Sequence, residues 1–182
     1  VYGWGWEQKP GWTWQRPFGV ESDPGLPAVH LTFDEATAYC AWRGARLPTE
    51  IEWRQAAYVE HRPDAGPDFI QGQDYPYPTG DSPLGANCLS ECGFTPPVSF
   101  RDALDRGVGP APVGTTQQGV NGLYDMGANV WEWVNSESVD SKVTAGGGWW
   151  YEAFRMHRDD RVVKPRNTAV VYIGFRCATD VR

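Results

Sequence analysis

Residues Asn121-Gly122-Leu123-Tyr124-Asp125-Met126-Gly127-Ala128-Asn129-Val130-Trp131-Glu132-Trp133 form a glycine-punctuated run that turns strand-like at Val130 to Val134. β-branched and aromatic side chains favour that extended state. Two more strand-like runs follow, Thr144 to Tyr151 and Thr168 to Cys177, separated by polar or glycine-rich breaks. Upstream, RLPTEIEW (Arg46 to Trp53) carries Thr49 three residues before Glu52. That is capping-box spacing, and it predicts a helix from about Glu50 to Tyr58 burying Trp53, Ala56 and Ala57.

Thr32-Phe33-Asp34-Glu35 has the same spacing and predicts an earlier helix that runs to about Arg43 and stops at Gly44. Its inner face is expected to hold Ala36, Tyr39, Cys40 and Trp42. The short link Gly44 to Pro48 makes the two helices neighbours. Between His61 and Val120 neither a period of 2 nor one of 3.6 is sustained, so something besides regular elements must fix that half, ions or bridges being the usual devices. At the front, Tyr2, Trp4, Trp6, Trp12 and Trp14 alternate around a turn at Pro10-Gly11, an aromatic stripe expected to be core.

Composition narrows the function. The 182 residues are 41% hydrophobic and 14% aromatic with ten Trp, enough apolar surface for one compact domain, and the 21 Gly and 15 Pro make turns and loops predominate over helix. No apolar run approaches the ~20 residues of a membrane-spanning helix. A net charge of -7 argues against a nucleic-acid partner, whose phosphates call for clustered Lys and Arg. The chain opens at Val1 with no basic, apolar, small-residue leader, which reads as a leader already removed or a segment of something longer. Four cysteines, Cys40, Cys88, Cys92 and Cys177, suggest bridges; three pairings are open, and buried free thiols are the alternative. Cys88 and Cys92, spaced C-x3-C with no nearby His, suit a local bridge better than a zinc hook.

RLPTEIEW, NGLYDMGANVWEW, AGGGWWY (Ala145 to Tyr151) and IGFRCATD (Ile173 to Asp180), in that order, closely resemble the formylglycine-generating enzyme family, the sulfatase-modifying factors. The resemblance covers most of the chain. It implies a single α+β domain over 1–182 with the loop-rich, C-type-lectin-like fold of that family, without the family's N-terminal strands. It implies a disulfide from Cys40 to Cys177, hence an oxidising, extracytoplasmic setting, periplasmic or secreted. It implies structural calcium at two places: Asn87 and Asp105 with the carbonyls of Cys88 and Gly107, and the segment around Asn129 and Glu132, where Ala128 stands in place of the family's glycine. Hard cations take such oxygen sets without needing regular structure. The bland alternative is that Asn87, Asp105 and Glu132 cap turns.

One departure from the family decides the functional reading. The family oxidises a substrate cysteine with copper held by two cysteines just after its GGS segment. Here that segment reads Gly146-Gly147-Gly148, and the two cysteine positions fall on Tyr151 and Met156, with no cysteine between Cys92 and Cys177. Neither side chain replaces a thiolate pair, the ligand type that selects Cu(I). Formylglycine synthesis is therefore not expected. Trp149, Trp150, Tyr151, Phe154, Met156, His157, Arg158 and Tyr172, with Arg161 nearby, are instead expected to line a groove suited to a protein, peptide or glycan ligand. Met156 and His157 offer a weak site for copper or iron; His30 and His61 are not placed to join it. Asp159 and Asp160 point to opposite faces and make no acid–base pair. No nucleophile elbow, phosphate loop or zinc-protease motif is present.

The expected function is thus a non-catalytic ligand- or protein-binding or accessory module, with two alternatives from other classes. One is a divergent metal-dependent oxidase or maturation factor for a periplasmic redox enzyme; the other is a variable display protein of a diversity-generating system.

Overall fold

The computed structural model describes residues 7–180. Both capping boxes form. Thr32 and Thr49 accept from the amides of Glu35 and Glu52, and those carboxylates accept in return from the Thr32 and Thr49 amides at 2.8 Å. They start α1, Phe33–Trp42, and α2, Glu50–Tyr58. Gly44, at φ +71°, ends the turn after α1, a conformation that costs any side-chain-bearing residue. The buried stripe of α1 is Phe33, Ala36 and Cys40. Tyr39 and Trp42, expected on the inner face, are 48% and 76% exposed. The helical period carries them past the edge of that stripe, where Tyr39 packs on Phe175 at the surface. In α2, Trp53, Ala57 and Tyr58 are buried and Ala56 is partly so.

Four short strands make one mixed sheet: β1 Trp131–Val134, β2 Ser141–Ala145, β3 Val162–Pro165 and β4 Ile173–Gly174, in the order β3-β2-β1-β4. β1 pairs antiparallel with β2 (Trp133 opposite Thr144) and parallel with β4 (Trp131 opposite Ile173). The expected strand at Thr144 to Tyr151 starts earlier and stops at Ala145, because Gly146 and Gly147 turn the chain at φ +89° and +77°. The run from Thr168 to Cys177 contributes only Ile173 and Gly174, and β3 was not foreseen. The sheet and α1 enclose the main core of Phe33, Ala36, Trp131, Trp133, Trp149 and Ile173, while α2 closes a second cluster over β1 and β2 with Trp53, Met126, Val134 and Val143.

The irregular half is fixed chiefly by buried amides. Asn129 donates from Nδ2 to the Ala111 carbonyl, and its Oδ1 accepts from the Ala111 amide at 2.8 Å and from Asn87 Nδ2 at 3.1 Å. Asn87 also donates to the Gly109 carbonyl, so two side chains clamp three separate loops. Asn121 likewise ties its loop to the end of α2 through the carbonyls of Ala56 and Val59. All four cysteines are paired, as Cys40–Cys177 and Cys88–Cys92, which removes the free-thiol alternative. The first bridge spans 137 positions, for which chain entropy contributes about 5 kcal/mol before any strain.

Candidate ligand cleft

A cavity of about 790 Å³ lies between the segment Glu7 to Trp14 and a wall made by Asp102 to Asp105, Trp150 and Ala169 to Tyr172. The turn at Pro10-Gly11 brings Trp12 and Trp14 to its rim, with the Trp12 amide bonded back to the Lys9 carbonyl and Gly11 at φ +80°. Trp12 is half-buried and packs on the main core beside Phe18, whereas Trp14 is 52% exposed and so stands at the surface instead of in the core expected from the alternation. Tyr2, Trp4 and Trp6 of the same stripe lie outside the described residues. Behind Trp12, whose ring meets Phe18 edge-on at 5.8 Å, Phe18 stacks on Phe100 with centroids 4.0 Å apart.

The residues expected to share one groove are divided. Trp150 and Tyr172 line the cleft, their rings 5.7 Å apart. Trp149, 1% exposed, turns inward and borders a smaller cavity of about 350 Å³. Tyr151 sets its ring edge-on to Trp131 and Tyr172, at 5.7 and 5.4 Å, filling the space beside the buried Trp131. Met156, also 1% exposed, sits with Ala86, Cys92, Ala128 and Ala153 in an apolar cluster. The short 3-10 turn Ala153–Met156 carries the chain away from the cleft, leaving Phe154 exposed and putting His157 against Tyr77 and Arg158 against Asp74. Phe154, His157 and Arg158 are therefore not cleft residues. Arg161 is paired with Glu50 on α2. Asp160 is bonded to Arg155 and half-sheltered, with burial raising its pKa, whereas Asp159 faces solvent. Of the cleft residues, Trp12 and Trp14 read from sequence as core and Asp102 carries no sequence signal; the Pro10-Gly11 turn, which leads into the two indoles, was the signal available.

The cleft is acidic. Glu7, Glu35, Asp102 and Asp105 face Lys9, which is paired with Glu7 at 2.9 Å. Burial lowers the His30 pKa, and its Nε2 lies 2.9 Å from the Pro17 carbonyl, so the ring adds no charge at neutral pH. Glu35 is held by Thr32. Asp102 and Asp105 have neither a hydrogen-bond nor an ion-pair partner among the described residues.

Two metal sets were implied by the resemblance, and the residues treat them differently. For the first, Cys88, Asp105 and Gly107 border the smaller cavity, and Asn87, 1% exposed, leaves its Oδ1 buried with no partner. An orphaned buried carbonyl oxygen and an unpaired carboxylate suit a hard cation, and Asn87, Asp105 and the Cys88 and Gly107 carbonyls would hold it. The second set does not fit. Both Glu132 oxygens accept from Arg176, at 2.6 and 2.7 Å, one also from Trp53 Nε1 at 2.7 Å, and the Asn129 amide is committed to Ala111 and Asn87. Copper or iron at Met156 and His157 does not fit either, because the thioether packs in the apolar cluster while His157 Nδ1 accepts from the Asp159 amide. No group of three His, Cys, Asp or Glu side chains is gathered for a metal among the described residues.

A mixed sheet flanked by two short helices, a loop-rich half and the 40–177 bridge define the class of protein: the chain belongs to the sulfatase-modifying factor enzyme 1-like domain family, which matches residues 2–181. Its fold is of the formylglycine-generating-enzyme type. Among individual relatives, it is 33% identical over 187 residues to the inactive C-alpha-formylglycine-generating enzyme 2 of Mus musculus, covering 96% of this chain and 57% of that protein. It is 31% identical over 208 residues to the formylglycine-generating enzyme of Mycobacterium tuberculosis, covering 96% and 66%. The chain thus spans between about half and two thirds of the length of these relatives. In fold it is similar to Treponema denticola variable protein 1, with a TM-score of 0.62 at 16% identity, over 90% of this chain and 76% of that one.

Proposed function

We propose that this chain is a recognition or accessory module on an enzyme scaffold, binding a peptide segment of a protein partner in the cleft between Trp12 and Trp150. The observation that carries the reading is that all four cysteines are spent in two disulfides while the two positions of the family's copper ligands hold Tyr151 and Met156. No thiolate pair is left for oxygen chemistry. Similarity to a relative described as inactive supports the same conclusion. Indole faces with uncompensated carboxylates favour Lys or Arg side chains over neutral or anionic sugars, by ion pairing and cation–π contact. The disulfides support an extracytoplasmic setting, and calcium at Asn87 and Asp105 would brace the wall that carries Asp102.

Calorimetric titration with immobilised-array hits from basic, neutral and acidic peptides tests this. Basic peptides should bind, and Trp150→Ala should weaken them about tenfold or more, the range of an aromatic interface anchor, with Asp102→Asn weakening them further as salt is lowered. Equal binding by the three classes, or none, overturns the reading.

A further inference from the structure

Cys88–Cys92 differs in kind from the bridge that holds the fold. It spans four positions against 137 for Cys40–Cys177, so opening it releases little chain entropy and leaves the distant elements joined. Its sulfurs are unequally sheltered. Cys88 is half-buried and borders the smaller cavity with Leu89, whereas Cys92 is 1% exposed and packs on the Met156 cluster. Within the loop, Glu91 is held at φ +74°, a left-handed conformation that disfavours a side-chain-bearing residue and that an open loop would relax. Outside the bridge, the Gly85 amide bonds the Cys92 carbonyl at 2.7 Å and the Leu89 amide bonds the Tyr151 carbonyl at 2.9 Å. These two bonds keep both cysteines in place once the sulfur–sulfur bond is gone, so the pair is set to close again.

We propose that Cys88–Cys92 is a redox-active disulfide that exchanges with external dithiols, a chemical site separate from the cleft. A thiolate of the dithiol attacks the accessible Cys88 Sγ; the bond between Cys88 and Cys92 breaks, a mixed disulfide forms on Cys88, and Cys92 leaves as a thiolate that takes a proton from water. The second thiol of the reagent, deprotonated, then attacks its own sulfur in the mixed disulfide and releases Cys88, which is protonated in turn. The protein gains two electrons and two protons, and the dithiol becomes its disulfide. Each bridge has one buried sulfur, Cys40 on the inner face of α1 and Cys92, while Cys177 is exposed; what sets Cys40–Cys177 apart is that it ties α1 to the segment after β4, whereas Cys88–Cys92 closes a single loop that holds Glu91 in a left-handed conformation.

The test equilibrates the folded protein with graded ratios of reduced to oxidised dithiothreitol, traps thiols by acid quench and alkylation, and reads each cysteine by peptide mass spectrometry. Cys88 and Cys92 should become alkylated at ratios at least about tenfold less reducing than those that open Cys40–Cys177, with far-ultraviolet circular dichroism unchanged and full re-oxidation when the reductant is removed. Opening of both bridges in one transition, or a Cys88–Cys92 bond that yields only as the circular dichroism is lost, overturns the proposal.

Discussion

Glu132 on β1 and Arg176 just beyond β4 are joined by two parallel hydrogen bonds of 2.6 and 2.7 Å, and the indole of Trp53 on α2 donates to the same carboxylate. Three elements meet on one buried charge. Burial works against the Arg176 charge, but the Coulomb attraction and hydrogen bonds of Glu132 outweigh it, and the guanidinium pKa is raised. Removing one partner leaves the other buried and unpaired, so Arg176→Ala should cost about 3–5 kcal/mol, a fall in Tm on the order of 10 °C for a chain of this size. Glu132→Leu with Arg176→Met should recover part of that loss and not all, because Trp53 Nε1 then has no acceptor. Urea unfolding of the three variants checks both statements.

The Asn129 clamp gives a second expectation. Its amide makes three hydrogen bonds in a buried site, to Ala111 twice and to Asn87. Asn129→Ala leaves those groups unsatisfied and should lose about 3 kcal/mol or more. Hydrogen exchange should quicken at Ala111 before it does at Trp133, since β1 keeps its own ladder.

Acid should weaken the fold in a defined window. The hydrogen bonds from Arg62 hold the Glu60 carboxyl at about 2, and those from Arg46 and Thr49 hold Glu52 at about 2. A carboxyl whose folded pKa is depressed stabilises fully above its unfolded value, about 4.3, and loses that contribution as pH falls toward 2. Stability should therefore decline between about pH 4.5 and pH 2, and Glu60→Gln should flatten that slope while lowering stability at neutral pH. Thermal melts across the interval measure it.

If Asn87 and Asp105 hold calcium as proposed, added calcium should raise Tm in the wild-type chain, by mass action on the folded state. Chelation should reverse the shift. Asp105→Ala should abolish it, whereas Glu132→Gln, at the set that does not fit, should leave a calcium-dependent shift on its lower baseline. No shift in the wild-type chain counts against the site.

How far the sequence could be read follows from the range of the interactions involved. Capping boxes at Thr32 and Thr49 are local, and both helices lay where the spacing put them. Adjacent Trp149 and Trp150 show the limit. One enters the core and the other the cleft, because the glycine turn at 146–147 and the 3-10 turn after Tyr151 redirect a segment read as a continuous lining. Asn87 and Asn129 look like turn-capping residues in a sequence; only the approach of loops 18 to 42 positions apart makes them a buried clamp. The cleft itself depends on residues nearly a hundred positions apart, Trp12 and Asp102, for which no spacing rule exists.

The central claim is that this member of the family has no cysteine at Tyr151 and Met156, the two positions where the resemblance puts the copper ligands, and so is not expected to make formylglycine. Incubating the protein with Cu(I), oxygen and a cysteine-bearing sulfatase peptide, beside an active formylglycine-generating enzyme, and weighing the peptide by mass spectrometry tests this most directly. The account predicts an unchanged peptide with this chain and an aldehyde with the control; aldehyde formed by this chain contradicts it.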